Sequence, residues 1–167
     1  MPRGRWRTDA EFNGAATTES RAVIVDELLD GITVDDIASR GVAAVSGETT
    51  VSALGDRMLR DRQTVYTVTD ESGATVGVVT LADLRSVGRA KSVDVRVTSV
   101  MREVPRVDVS DDAFETLARL NQAGGTTALV EERGDVVGVL SEADYAHALS
   151  VQREFRSGVT GKRHPGA

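Results

Sequence analysis

The sequence of 167 residues contains no cysteine and only two histidines, His147 and His164. The absence of cysteine excludes disulfides and thiolate chemistry. No paired catalytic carboxylates, nucleophile–histidine arrangement or set of metal ligands is recognisable in the sequence. We therefore expect a protein that is not an enzyme and that requires no metal or cofactor.

Long apolar runs are missing as well. No run approaches the roughly 20 residues that a membrane-spanning helix needs. The N-terminal segment, Met-Pro-Arg-Gly-Arg-Trp-Arg, lacks the apolar core of a secretory signal. We expect a soluble, cytoplasmic chain without a membrane span, and one long enough to bury a real core.

Positive charge is also scarce. The chain has 26 acidic and 20 basic residues, for a net charge of −6, and lysine occurs only at Lys91 and Lys162. This balance disfavours nucleic acid as a partner. An acidic, lysine-poor composition rich in valine, threonine and alanine is typical of halophilic archaea and of high-GC bacteria.

An eight-residue phrase occurs twice. Residues 77–84 read Gly-Val-Val-Thr-Leu-Ala-Asp-Leu, and residues 138–145 read Gly-Val-Leu-Ser-Glu-Ala-Asp-Tyr. The two copies lie 61 residues apart, and weaker echoes extend upstream at offsets of 62 and 63. Repetition at a fixed period indicates two structural units of about 60 residues.

Each unit has the pattern β-α-β-β-α. Amphipathic spacing predicts the first helix of each unit, and β-rich runs around a glycine-containing turn predict a hairpin. The predicted elements are strand 42–45, helix 51–61, strands 65–69 and 75–79 and a helix from Thr80, then helix 112–123, strands 126–130 and 136–140 and a helix from Ser141.

The repeated unit resembles a CBS domain, and residues 31–150 resemble a tandem CBS pair. The resemblance implies an α/β (α+β) fold in which two repeats pack sheet to sheet about a pseudo-twofold axis. It also implies a regulatory module that binds AMP, ADP, ATP or S-adenosylmethionine in clefts between the repeats. Two such pairs often form a homodimer, and the module would act on an effector protein that the sequence does not name.

A narrower resemblance concerns residues 17–34 and 56–62. They look like the cytoplasmic tail of archaeal site-2-type membrane metalloproteases, in which a similar lead-in precedes a CBS pair. The sequence contains no His-Glu-x-x-His motif. The resemblance therefore implies a detached regulatory part without peptidase activity.

The repeated Ser/Thr-x-x-Asp motif suggests a ligand site. Thr80 and Asp83, and likewise Ser141 and Asp144, fall at the starts of predicted helices, where free N–H groups favour anions. An ionised carboxylate can accept two hydroxyl protons, as the vicinal hydroxyls of ribose would supply. Alternatively, each pair closes a helix start as a variant of the capping box. Both roles can coexist.

Other positions depart from the CBS pattern. At the start of each repeat, Ser39 and Arg102 stand where the family carries threonine, and Met101 retains the usual methionine. Arg62 and Arg102 are candidate phosphate partners because arginine binds phosphate through two N–H groups, although each could be an ordinary surface arginine. With one cleft occupied, we expect the one that uses Thr80 and Asp83.

The hairpin strands carry further candidates. Tyr66 could stack on a base, but a half-buried core position is favoured for a lone strand tyrosine. Thr67 and Ala128 are expected at equivalent positions, where the family carries proline. Such departures motivate the alternative of a ligand-free module for dimerisation or docking.

The ends complete the predicted organisation. Residues 19–30 read as a lead-in helix with Ser20 as its cap and Gly31 as its stop. Its apolar residues need a partner surface, either on the CBS pair or on a second subunit. The predicted division is a flexible tail (1–18), the lead-in helix (19–30), repeat 1 (31–90), repeat 2 (91–155) and a second flexible tail (156–167).

Overall fold

The computed structural model describes residues 23–162, with side chains described as far as residue 157. The predictions of a flexible tail at 1–18, of the Ser20 cap and of frayed residues 163–167, including His164, lie outside the described residues. The elements in chain order are α1 (23–29), α2 (Val34–Ile37), β1 (Ser39–Arg40), β2 (Ala44–Ser46), α3 (Val51–Asp61), β3 (Val65–Thr69), β4 (Thr75–Thr80), α4 (Leu81–Arg85), a 3₁₀ turn (Val97–Ser99), β5 (Arg106–Asp108), α5 (Ala113–Gln122), β6 (Ala128–Glu132), β7 (Asp135–Leu140) and α6 (Glu142–Lys162).

Two β-sheets form the centre of the fold. One has the strand order β2-β3-β4, and the other has the order β1-β7-β6-β5. In each sheet an antiparallel hairpin is flanked by a parallel strand from the same repeat. The mixed α/β architecture with two related units is therefore confirmed.

The repeats exchange their leading segments. Strand β1 lies near the start of repeat 1 but pairs with β7 of repeat 2, where Ser39 lies opposite Val139. The counterpart in repeat 2 is the bridge between Arg102 and Val78 of repeat 1. At one of its two edges, each sheet thus pairs with a segment from the start of the other repeat.

Glycine at the start of the repeated phrase permits this exchange. A Cβ atom on Gly138 would collide with the carbonyl oxygen of Ser39 in β1. On Gly77 it would lie 2.7 Å from the carbonyl oxygen of Arg102. Only glycine allows the crossing backbone to approach so closely.

Three apolar clusters hold the layers together. Valines and a leucine from both sheets meet at the interface between them, and each sheet buries its other face under helices. The sheets therefore pack face to face with helices outside, as the resemblance implied. The buried members are Val78, Leu129 and Val139 between the sheets; Val45, Leu54, Met58, Tyr66, Val68, Val79 and Val97 under α3; and Leu29, Val34, Val107, Ala113, Leu120, Ala128, Val130, Leu140 and Tyr145 under α5 and α6.

Side-chain caps fix the starts of the amphipathic helices. Thr50 Oγ1 accepts the N–H of Ala53 at 3.1 Å, and Asp112 Oδ2 accepts the N–H of Glu115 at 2.9 Å. A cap of this kind stabilises a helix by about 1 kcal/mol. The predicted helix 51–61 has the observed bounds, Val51–Asp61, and the second helix is one residue shorter at each end.

The lead-in helix packs against the chain at its C-terminal end, whereas Val23 and Ile24 near its start are exposed. Leu28 and Leu29 are buried, and Leu29 belongs to the core of repeat 2. Helix α6 continues to Lys162, beyond the predicted end of repeat 2 at residue 155, and a flexible tail from residue 156 stays a prediction. The Arg156 guanidinium donates to the carbonyl oxygen of Glu27 at 2.7 Å and ties α6 to α1.

Candidate functional site

The two Ser/Thr-x-x-Asp motifs lie where a strand meets a helix. At the end of β4, Asp83 Oδ2 accepts the Thr80 N–H at 2.8 Å and the Thr80 hydroxyl at 3.0 Å. At the end of β7, Asp144 Oδ2 accepts the Ser141 N–H at 2.8 Å and the Ser141 hydroxyl at 3.1 Å. The capping role is thus present at both sites, and it uses one oxygen of each carboxylate.

The second carboxylate oxygen of each motif faces the opposite repeat. Ser39 donates its hydroxyl to Asp144 Oδ1 at 2.6 Å, whereas Arg102 Nε lies 3.3 Å from Asp83 Oδ1. The crossed strands therefore pair the start of each repeat with the end of the other. Ser39 and Asp83 belong to the same predicted repeat, but the structure brings Ser39 to Asp144 of the other repeat.

A cleft opens beside Asp144, which we call the Ser39 cleft. It has a volume of about 280 Å³ and is lined by residues 39–42, residues 62–65, Val139, Ser141 and Asp144. Ligand pockets commonly range from about 300 to 1,000 Å³, so this cleft is small but close to that range. Its walls come from both repeats, so the repeats must be assembled before it exists.

Arg62 lines the Ser39 cleft in a strained conformation. It ends α3 with φ 55° and ψ 37°, in the left-handed region, which side chains other than glycine adopt at a cost of about 1 to 2 kcal/mol. The corresponding residue of repeat 2 is Gly124, with φ 93°. Among the described residues the Arg62 guanidinium has no hydrogen-bond or ion-pair partner. A strained residue with a free cation in a cleft is typical of a functional position.

Arg40, which sequence reasoning missed, lines the same cleft but is already engaged. Its guanidinium contacts Asp35 and lies 3.4 Å from Glu132 Oε2. The hydrogen bond and negative charge of Asp35 raise the pKa of Arg40 above its ordinary value. Arg62 is therefore the freer of the two cations toward an incoming anion.

Gln63 supplies an unsatisfied acceptor at the cleft. Its Oε1 atom is buried and has no hydrogen-bond partner among the described residues. A buried polar atom without a partner costs about 1 to 3 kcal/mol. A ligand N–H or O–H that reached it would remove that cost. Position 63 follows the predicted Arg62, which is the one signal that could have found it.

A second cleft, the Arg102 cleft, includes the segments of repeat 2 that correspond to residues 39–42 and 62–65 of the Ser39 cleft. It has a volume of about 500 Å³ and is lined by residues 102–105, 123–127 and 141–143, together with Val65 and Leu120. Neither Thr80 nor Asp83 lines it. The residues expected to form the occupied site are thus separated from the open space.

Besides Thr80 and Asp83, four sequence-predicted residues lie outside both clefts. Tyr66 is fully buried under α3, with its hydroxyl 3.4 Å from Asp61, and burial raises its pKa. Met101 packs against the same core, and Ala128 is buried under α5 and α6. Thr67 is buried in β3.

Thr67 and Ala128 are not equivalent. Thr67 pairs with Val78, whereas the residue that pairs with Val139 at the same level of repeat 2 is Leu129. Both backbone N–H groups are used: Thr67 donates to Ala43 and Leu129 to Pro105. Proline has no backbone N–H group, so Thr67 and Leu129 each make a backbone hydrogen bond that proline could not make.

Two absences bear on the class of site. The described residues hold no group of three or more histidine, cysteine, aspartate or glutamate side chains that could bind a metal ion. Within the same range, no helix is long and apolar enough to cross a membrane.

Comparisons with known proteins agree with this architecture. A protein of Mycobacterium tuberculosis described as a zinc metalloprotease, Rip3, is 27% identical over 144 residues, which cover 83% of this chain and 37% of the relative. The chain thus spans little more than a third of that relative's length.

Solved structures share the fold. The CBS domain of a bacterial CNNM/CorC family Mg²⁺ transporter in complex with ATP has a TM-score of 0.65 at 22% identity, covering 80% of this chain and 97% of the other. The CBS-domain protein ATU1752 of Agrobacterium tumefaciens has a TM-score of 0.60 at 22% identity, covering 70% and 92%. Residues 34–89 and 97–151 each match the CBS domain family, so the chain belongs to that family as a tandem CBS pair.

Proposed function

We propose that this CBS pair is a regulatory module that binds an adenine nucleotide in the Ser39 cleft and thereby changes its association with a second copy or with an effector protein. The observation that carries the proposal is the convergence of Ser39, Ser141 and Asp144 from opposite repeats on one open cleft. Adenine nucleotides are abundant in the cytoplasm, where we propose that the module acts.

The chemistry of the cleft suits a nucleotide. Asp144 Oδ1 is held by a single neutral hydroxyl, that of Ser39, which a ribose hydroxyl can replace one for one. The start of α6 and the Arg62 guanidinium, which has no partner among the described residues, favour a phosphate. Gln63 Oε1 offers an acceptor to a donor such as the adenine amino group. The solved CBS domain with bound ATP gives independent support for this ligand class.

A bound nucleotide has regulatory consequences only if its affinity differs between two states. We propose that the Ser39 cleft provides such a difference, because its walls belong to both repeats and to strand β1. A ligand there favours the arrangement in which these walls are close together. Any partner that senses the same arrangement would then respond to the ligand.

Thermal-shift and calorimetric titrations test the proposal. AMP, ADP, ATP and S-adenosylmethionine are titrated separately at low and high salt, with inorganic tripolyphosphate as the control for purely electrostatic binding. At a hundredfold excess over Kd, a ligand stabilises the fold by about 2.7 kcal/mol, which raises Tm by about 5 to 10 °C. No response at millimolar nucleotide at either salt concentration would contradict the proposal.

A second candidate function is ligand-independent association of two copies. An apolar groove of about 470 Å³ lies between α3 and α4, and two leucines project from it: Leu59 is 82% exposed and Leu81 is 41% exposed. We propose that a homodimer would form through this face. Leu59→Asp should then shift the mass measured by light scattering toward the monomer without changing any nucleotide response.

A further inference from the structure

The two carboxylates of the repeated motif are anchored alike but engaged differently. In both, Oδ2 accepts the backbone N–H and the hydroxyl of the residue three positions earlier. Oδ1 of Asp144 accepts the neutral Ser39 hydroxyl, while Oδ1 of Asp83 faces the cationic Arg102 side chain at 3.3 Å. The difference falls on the one oxygen that a ribose hydroxyl could use.

From this difference we infer that Arg102 closes the second nucleotide site, so that the module takes one nucleotide, in the Ser39 cleft. This inference rests on the proposed function and specifies which cleft carries it. A ribose hydroxyl that displaces the Ser39 hydroxyl from Asp144 exchanges one neutral hydrogen bond for another. A ribose hydroxyl that displaces Arg102 from Asp83 breaks an ion pair to a side chain that is only 15% exposed. The negative charge of Asp83 is then left with a neutral hydroxyl as its partner.

The shape of the Arg102 cleft supports the same conclusion independently. The cleft is the larger of the two, yet its walls include neither Thr80 nor Asp83. A nucleotide placed in this space would not reach the ribose-binding carboxylate unless Arg102 moved first. Of the motif residues, only Ser141 lines this cleft, so its volume is separated from both motif aspartates.

Charge also separates the two clefts. The Ser39 cleft is lined by Arg62, whose guanidinium is free among the described residues, whereas the equivalent position of the Arg102 cleft is Gly124. The Arg102 cleft adds two carboxylates, Glu103 and Glu142. Its single arginine is engaged with Asp83. A phosphate group is therefore attracted to one cleft and repelled by the other.

A reciprocal exchange of residues tests the inference by isothermal titration calorimetry with ATP on the full chain. The wild type should bind one ATP. Arg102→Ser gives the second cleft the residue that Ser39 supplies to the first and should bind two. Ser39→Arg should bind none, because both carboxylates are then paired with arginine. Thermal melting reports whether each variant is folded, and Asp144→Ala serves in place of Ser39→Arg if that variant unfolds.

The matched control is Arg96→Ser. Arg96 lies on the same segment as Arg102, is similarly exposed (58% against 51%) and pairs with Glu48 at 3.2 Å, away from both clefts. It should retain one site. Two sites in the wild type, or one site in folded Arg102→Ser, would overturn the inference while leaving the proposed function intact. If neither the wild type nor Arg102→Ser binds ATP, both the inference and the proposed function are overturned.

Discussion

Replacing Arg62 with glycine should stabilise the fold and weaken the ligand site at once. Arg62 adopts φ 55° at the end of α3, and relieving a left-handed side chain gains about 1 to 2 kcal/mol. Glycine adds freedom to the unfolded chain, which takes back about 0.4 to 1 kcal/mol. The net gain is about 0.5 to 1 kcal/mol, or a rise in Tm of about 1 to 4 °C for a domain of this size.

The effect on binding should have the opposite sign. Arg62 is exposed, so its contact with a phosphate is partly screened by water and is worth about 1 kcal/mol. Its loss should weaken ATP binding about fivefold, as measured by calorimetry at low salt. The difference between variant and wild type should shrink as salt is added.

Arg133 provides the control for the strain itself. It has φ 53° in the turn between β6 and β7, and it lines neither the Ser39 cleft nor the Arg102 cleft. Arg133→Gly should therefore raise Tm by a similar amount and leave ATP affinity unchanged. The reasoning is refuted if Arg62→Gly lowers Tm or binds ATP as tightly as the wild type, or if Arg133→Gly weakens binding equally.

Three further predictions concern the junctions and the core. Asp144→Ala and Asp83→Ala should each destabilise the fold by about 1 kcal/mol through the lost cap, but calorimetry should show loss of ATP binding for Asp144→Ala alone. Gly138→Ala should cost about 1 to 3 kcal/mol in denaturant unfolding, because the new Cβ displaces β1 and with it Ser39; an unchanged midpoint would contradict the close crossing. Burial raises the pKa of Tyr145, whose hydroxyl donates to the Ala113 carbonyl at 2.9 Å. Above the ordinary tyrosine pKa, the folded state therefore keeps a proton that the unfolded state loses, so stability should fall as pH rises above about 10. In melting curves recorded across this pH range, Tyr145→Phe should lose less stability than the wild type.

Local patterns in the sequence were enough to predict the repeated unit. The apolar spacing of residues 51–61 and the cap at Thr50 define α3, and the glycine-containing turns define both hairpins. These features depend on neighbours within a few residues along the chain. The capping geometry at Thr80 and Ser141 follows from the same short spacing.

The pairing across repeats could not be predicted in this way. The hydrogen bond from Ser39 to Asp144 joins residues 105 positions apart, and the strand that carries Ser39 has only two residues. So short a strand has no periodicity to indicate which sheet it joins. Sequence reasoning therefore assigned Ser39 to its own repeat.

The errors in the hairpin strands have a different cause. Both faces of β3 are buried, one against the other sheet and one under helices, so apolar alternation does not distinguish them. A shift of one residue moves a side chain to the opposite face. Thr67 and Ala128 were matched with such a shift, whereas Tyr66 lies in the core, the position favoured for it from the sequence.

The exchange of leading segments makes each half of the chain dependent on the other. Each repeat contributes a short segment to one edge of the other repeat's sheet, and the walls of the Ser39 cleft come from both repeats. Because the two repeats are covalently linked, their association is intramolecular. A short flexible connection gives an effective concentration in the millimolar range. Two separated halves would have to reach comparable concentrations to restore the same site, so tandem duplication gives this fold a cleft that survives dilution.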